Sequence, residues 1–573
     1  MTNTAADTSK SDKPVWYFIL CWTLLNLVQA YTLELHGDEA YYWVYAQKLD
    51  WGYFYHPPMM ALFIKIGYTL LHNELGIRLM AVFTNSAAIY LLRLILKPYR
   101  VSPHWFILAI SSVLVFHVYG FTTTPDAPLF FFAVLFYYVY QRYITKDGFL
   151  TGLLMGVIAA CLLYSKYHGV LVIGFTVLSN FKLFKRGSFY LAMLTALIIL
   201  VPHILWQMHH GFPAVNYQLF ERSTDRTYKI GDSIEYLSGQ LLLGGVLSSW
   251  YLFYKGFTAK VSDAFTRTLM FNAIGTFAFF LVNTLNADVQ PHYTLIAFGP
   301  LTALALINFS KGNLFPVWYQ RLLLINIGLV LLLRVALLFQ WPVMQKIQAL
   351  DTYFGYKKWA MEIHKKAGNA YMVMDDGFQN PSKYNFYNHT LKGFSYDSRY
   401  YGRTMYDIWP FEDSLQHKRV YGVFTGPIKG VTTDMIPGGH NIYYGGWIED
   451  ARTYQKVAIE ASPEAIAARP GQKIQFDLKL TNPYPFDITF ANEGYKHKAF
   501  LEACFFKGKT DLVALQQADS TFNGIALKKG ATATYKMTVT TPPVKGKYYL
   551  VFSIRTEPFS GSKNSPLIKF LVE

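Results

Sequence analysis

Two adjacent carboxylates, Asp38 and Glu39, follow His36-Gly37 and precede the aromatic run Tyr41-Tyr42-Trp43, and a second histidine, His56, stands directly before Pro57-Pro58. A carboxylate beside an aromatic face, with a histidine fixed by a rigid dipeptide, has the makings of an acid or base next to a cation-binding surface. A helix start would use the same residues: Asp38 caps, Glu39 meets the positive end of the helix dipole, and the aromatics form an interfacial belt. The pattern alone leaves both readings open. Further polar groups interrupt apolar sequence downstream, namely Asp126 after Thr124-Pro125, Lys166-Tyr167-His168 after Ser165, Arg222, and His292 after Pro291. Asp126 reads first as the cap of a following helix. Lys166 and His168 are either snorkelling residues at a span end or anion ligands, and His292 is a loop residue beside a proline.

The elements that must carry these groups are membrane helices. Hydrophobic residues make up 52% of the 573 and charged residues only 15%, too apolar a balance for an ordinary soluble enzyme. Apolar segments recur with candidate spans beginning near Val15, Ile77, Trp105, Ala127, Phe149, Gly169, Phe189, Tyr236, Thr268, Tyr293 and Arg321, eleven in all. The net charge of +16 comes from short Lys and Arg clusters between apolar runs, which argues against nucleic-acid binding. Segments 1–14, 93–103, 141–148, 181–188, 255–267 and 309–321 hold 15 Lys and Arg, whereas the longer loops 34–78, 122–127, 165–168, 207–235 and 284–292 hold 7. By the positive-inside rule the first set is cytoplasmic, so the motif-bearing loops and the C-terminal third face outward, the periplasm if the membrane is a bacterial inner membrane. The first span is expected to stay as an anchor, because nothing before Pro14 resembles a cleaved signal. Cys21 and Cys161 lie in apolar runs and Cys504 stands alone, which implies no disulfide framework.

Three domains follow: a transmembrane domain over 1–345 with a long first external loop at 34–76, a soluble α/β region over 346–454, and a β-sandwich over 455–573. The loop is interrupted by Pro57-Pro58 before an amphipathic stretch at Met59–Leu71, expected to lie along the membrane surface. Tyr371–Met374 and Val420–Phe424 read as buried strands. Ile474–Leu480 and Tyr535–Val539 alternate as sandwich strands and Tyr548–Ile554 follows Lys545-Gly546 as another, with a turn at Asn482-Pro-Tyr-Pro.

Taken in order, Asp38-Glu39-Ala40-Tyr41-Tyr42-Trp43, Gly52-Tyr53-Phe54-Tyr55-His56-Pro57-Pro58, Gly76-Ile77-Arg78-Leu79, Thr124-Pro125-Asp126-Ala127-Pro128-Leu129, Ser165-Lys166-Tyr167-His168-Gly169, Trp206-Gln207 with His210-Gly211-Phe212 and Arg222, and Pro291-His292-Tyr293 resemble the dolichyl-phosphate-mannose-protein mannosyltransferase-like family. The lipid A aminoarabinose transferases are relatives of that group. Tyr55 departs from the pattern, since many members carry Asp immediately before His-Pro-Pro. The resemblance implies a multi-span α-helical C-type glycosyltransferase fold, a sugar donor on a polyprenyl phosphate, and a catalytic first-loop Asp. Carried over, Asp38 is the catalytic carboxylate, Glu39 orients it or the acceptor, and His56 lies nearby. Lys166, Arg222 and Arg78 suit the neutralisation of charge on the leaving phosphate. Asp126, Tyr167, His168 and His292 complete the expected substrate-binding set.

The expected partners are the polyprenyl-phosphate sugar donor, membrane lipid, and an acceptor that is a lipid, a glycan or a protein. No cofactor is expected, and no metal: the loops lack a His-x-x-x-His pair, although Asp38, Glu39, His56 and Asp126 are residue types that bind one. A transporter of lipid or glycan is the alternative. It calls for ionisable groups inside spans and for repeated halves, whereas Arg334 is the clearest intramembrane charge and no halves match.

Overall fold

The computed structural model describes residues 12–217, 228–312, 314–508 and 510–573. Its contacts form two compact units, one made of the chain up to Leu33 with Tyr45–Leu350, the other of Glu34–Val44 with Asp351–Glu573.

The first unit is helical, and a helix stands at each of the eleven apolar segments. Six helical stretches are long and apolar enough to cross a membrane: Lys13–Thr32, Glu74–Tyr99, Gly187–His209, Ala264–Asn283, Pro291–Lys311 and Val317–Leu338. The helices at the remaining expected spans are shorter, less apolar or broken among the described residues. Two breaks have local causes. Pro103–Ser112 and Leu114–Val118 are separated by Val113 in extended backbone. The carbonyl of Ser112 freed there accepts from the Asn326 side chain at 2.5 Å. Ile230–Leu243 and Ser249–Phe257 are separated around Gly245, whose φ of +112° disfavours any side chain.

Pro291–Lys311 is the most enclosed of the long helices, and Gly187–His209 turns almost all of its side chains outward. The latter meets Phe149–Ser165 through small residues. A Cβ at Gly152 would lie 2.6 Å from the Ser188 carbonyl oxygen, and one at Gly156 would lie 2.5 Å from that of Ala192. The expected helix after Pro57-Pro58 runs over Met59–Leu70.

The second unit holds fifteen strands among the described residues. β1 (Tyr371–Asp375), β2 (Gly393–Tyr396), β3 (Lys418–Phe424), β4 (Asp434–Gly438) and β5 (Asn441–Ala451) form one sheet in the order β2-β1-β3-β5-β4. The first three are parallel, and helices Tyr356–Ala367 and Gln379–Tyr387 pack with them. The remainder are β6 (Ala458–Glu460), β7 (Ala465–Ala468), β8 (Lys473–Thr481), β9 (Ile488–Thr489), β10 (Ala499–Lys507), β11 (Asp511–Gln517), β12 (Ala526–Leu527), β13 (Thr532–Thr540), β14 (Gly546–Thr556) and β15 (Ile568–Val572). Sheets β11-β10-β14-β15-β7 and β13-β8-β6 bury their facing residues in one core, where Phe476 of β8 meets Phe552 of β14 edge-on at 5.2 Å. The alternation read at Ile474–Leu480 is that of β8, whose inward residues Phe476, Leu478 and Leu480 are buried.

Buried charges join the α/β part to this sandwich. Glu502 of β10 receives Arg399 at 2.6 Å and Arg555 at 2.7 Å, and Glu412 accepts from the Gln455 backbone at 2.9 Å and the Tyr484 hydroxyl at 2.7 Å.

Candidate active site

The helix Gly37–Gln47 begins with its orphan N–H groups already committed, and the residues that satisfy them are not the ones expected. His36 precedes the helix, and its Nδ1 accepts from the Asp38 N–H at 3.1 Å. Glu39 reaches back so that Oε2 accepts from the His36 N–H at 3.0 Å. This reciprocal pair is a capping box with histidine in the place usual for Ser or Thr. Glu39 is fully buried in that task. Of the two readings of Asp38, the capping one is therefore taken up by His36 and Glu39.

Asp38 is left for another partner. Its Oδ1 accepts from Gln379 Nε2 at 2.9 Å, its Oδ2 lies 3.8 Å from His36 Nδ1, and a third of its side chain is exposed. Gly37 makes room for this contact, because a Cβ there would lie 2.7 Å from three atoms of the Gln379 side chain. One turn along the same helix is Lys383, which is buried. Its Nζ donates to the Thr352 carbonyl at 2.6 Å and to Thr352 Oγ1 at 3.0 Å, and sits 3.5 Å from the centre of the Tyr356 ring. Burial pushes the Lys383 amine down to about 7, against the pull of Glu34, Asp351, Asp38 and Glu39. Burial likewise raises Glu34, whose carboxylate accepts from the backbone N–H groups of Tyr356 and Lys357.

The second constellation lies in the helical unit and draws on three of the motifs. Lys166 Nζ is 2.9 Å from both Asp126 oxygens, and both side chains are buried. His292 Nε2 lies 4.0 Å from Asp126 Oδ2, and the Tyr293 ring lies 4.6 Å from Lys166 Nζ and 5.0 Å from the ring of His168. Asp126 is the first residue of its helix, Asp126–Thr145, yet its carboxylate holds Lys166 as well as marking the helix start.

The remaining candidates have separate surroundings. Tyr167 forms a chain with neighbours of the Trp206-Gln207 motif. His203 Nδ1 donates to the Trp51 carbonyl at 2.7 Å, so the other nitrogen of the neutral ring accepts from the Tyr167 hydroxyl at 3.1 Å, and Gln207 donates to that hydroxyl at 3.1 Å. Arg78 is fully buried and donates to the carbonyls of Ala30 at 2.9 Å and Leu33 at 2.8 Å, which closes the C-terminal end of Lys13–Thr32. His56 is half-buried, and its carbonyl accepts from the Tyr53 N–H at 3.1 Å. Arg222 lies outside the described residues. Among the described residues no group of three or more His, Cys, Asp or Glu is placed to hold a metal ion.

Gln379 and Lys383 were not foreseen. They stand in a polar stretch, Gln379-Asn-Pro-Ser-Lys383, with no motif of its own, and the one available signal was their spacing on one helix face.

Residues 55–206 match the family described as dolichyl-phosphate-mannose-protein mannosyltransferase. Among curated proteins no sequence matches the chain. Its structure is similar to that of ArnT from Cupriavidus metallidurans in the apo state, with a TM-score of 0.59 at 13% identity over 75% of this chain and 97% of ArnT. The same protein bound to undecaprenyl phosphate matches with a TM-score of 0.56 at 16% identity, over the same shares of the two chains. The chain therefore has the fold of ArnT, and within it residues 55–206 match the mannosyltransferase family that the ordered loop motifs resemble.

Proposed function

We propose that this protein is an integral-membrane glycosyltransferase that moves a sugar from a polyprenyl-phosphate donor to a lipid, glycan or protein acceptor on the non-cytoplasmic face. The observation that carries the reading is the division of labour at the start of Gly37–Gln47. His36 and Glu39 do the capping, while Asp38 keeps a partly exposed carboxylate whose hydrogen-bond partner is a neutral amide. A base needs both features, access to the acceptor and lone pairs not neutralised by a cation. The undecaprenyl phosphate bound in the ArnT structure supports the choice of donor class.

In this reaction the acceptor hydroxyl gives its proton to Asp38 as its oxygen bonds to the anomeric carbon. The bond from that carbon to the phosphate oxygen breaks, and the polyprenyl phosphate leaves with the electron pair. Lys166, His168, His292, Tyr167, His56 and Arg222 are assigned to the donor side, where cations and hydroxyls offset charge on the leaving phosphate. Arg78 we assign instead to holding the end of the first helix, given its two carbonyl partners.

The test compares mass spectra of envelope glycans from a strain lacking the protein, the parent, and a strain carrying Asp38→Asn. A glycan signal lost in both altered strains supports the reading. A signal that persists with Asp38→Asn at the parental level sinks it. Orientation is checked separately. A cysteine introduced at Asn286 should react with an impermeant thiol reagent in spheroplasts and one at Ser262 should not, and the reverse would move the site to the cytoplasm.

A further inference from the structure

The helix Gln379–Tyr387 of the C-terminal region supplies the hydrogen bond that Asp38 receives. We propose that Gln379 is a positioning residue for Asp38, on a helix that Lys383 anchors to Thr352, so that the C-terminal region forms part of the catalytic machinery; this rests on the reading of Asp38 as the base.

Three observations bear on it. The amide of Gln379 donates to one carboxylate oxygen at 2.9 Å, which fixes the rotation of the group and leaves the other oxygen toward His36 at 3.8 Å. Gly37, the residue before Asp38, lacks the Cβ that would push Gln379 away. Lys383 is anchored rather than loose, with two hydrogen bonds to Thr352 and an aromatic ring against it, and Thr352 Oγ1 in turn accepts from the Gly37 N–H at 3.1 Å. One residue, Thr352, thus ties the ammonium to the backbone that presents the carboxylate. A neutral donor suits a base better than a cation would, because it orients the oxygen without suppressing its proton affinity.

The charged and titratable groups around this pair are Glu34, His36 and Glu39 on the first segment, Asp351, Tyr353 and Tyr356 on the second, Lys383 on the helix itself, and His440, which pairs with Asp351.

The experiment uses membranes that carry the full chain, with the glycan lost in the deletion strain as the product followed over pH 5 to 9. Gln379 is exposed, so Gln379→Leu should accumulate normally, and the rate should fall about 10- to 100-fold through misplacement of the base. Gln379→Glu sets a second carboxylate against the first and should move the acid limb of the rate profile to higher pH. Lys383→Met removes the anchor on Thr352 and should lower the rate, and Lys383→Arg should recover part of it. A loss that is structural alone would lower the amount of protein and leave the limb in place. Parental rates and parental pH profiles for Gln379→Leu and Gln379→Glu, with Asp38→Asn inactive in the same membranes, overturn the proposal and leave the base assignment standing. An active Asp38→Asn removes both.

Discussion

Asp126 and Asp38 are carboxylates at the first turns of their helices, and their surroundings are opposite. Asp126 is buried in the helical unit and grips an ammonium with both oxygens at 2.9 Å. Asp38 is one-third exposed and takes a single hydrogen bond from an amide at 2.9 Å. The first arrangement holds a charge that could not survive alone in an apolar interior, and it uses up the lone pairs in doing so. The second orients a carboxylate and leaves it able to accept a proton. What an acidic residue does is decided here by the charge of its partner, more than by its place on the helix.

The strongest test of that contrast is to neutralise each acid. Asp38→Asn should leave the protein in the membrane at its usual level while transfer falls by about 100-fold or more, as loss of a general base does. Normal transfer would break the comparison at its more important end. For the ion pair the effect should fall on stability: Lys166→Met strands a buried carboxylate, at a cost of about 3–5 kcal/mol, read as a lowered Tm of the purified protein. The double variant Asp126→Asn with Lys166→Met should recover part of the loss. Because Lys166 is also assigned to the donor side, the purified Lys166→Met protein should in addition retain less polyprenyl phosphate than the parent.

Two acids of the second unit extend the comparison. Glu502 has two cationic partners, Arg399 and Arg555, so Arg399→Met should cost about 1–3 kcal/mol with one cation remaining. Asp375 has none among its recorded contacts. Burial, with Asp376 adjacent, pushes its carboxyl up to about 8. The unfolded chain ionises this group at an ordinary carboxylate value, so the stability it contributes is present below that value and is lost as pH rises through about 8. Asp375→Asn should melt like the parent near pH 4 and a few degrees higher at pH 9. Equal Tm at both would mean that the acid is better solvated than its burial implies.

Much of this molecule is legible from the chain alone, for reasons that differ by region. The helices follow from apolar runs, β8 and β13 follow from alternation, and β14 follows from a short apolar run after Lys545-Gly546, because these signals are local. The convergence of Asp126, Lys166 and His292 could be anticipated only through the order of the motifs, since no spacing rule joins residues on three loops. Gln379 escaped notice because it meets Asp38 across 341 positions and belongs to no motif. The break at Val113 is equally silent, since nothing around it is a Gly or Pro, and its freed carbonyl is answered by Asn326 from a distant helix. The cap is illegible for a subtler reason: histidine is an uncommon acceptor there, so the pattern alone leaves Asp38 open to either role.

The close seam between Phe149–Ser165 and Gly187–His209 has a consequence for how this sequence can drift. Along the second helix the outward positions Leu194, Leu197, Ile198 and Val201 are largely exposed and should accept one another's residues freely, leaving little record of selection. At Gly152 and Gly156 a single added methyl has nowhere to go, since carbonyl oxygens of the neighbouring backbone occupy the space. A saturation library of this hairpin should therefore divide into a permissive outer stripe and two intolerant points, and survivors at those points should carry a compensating change at Ser188, Ala192 or Thr195.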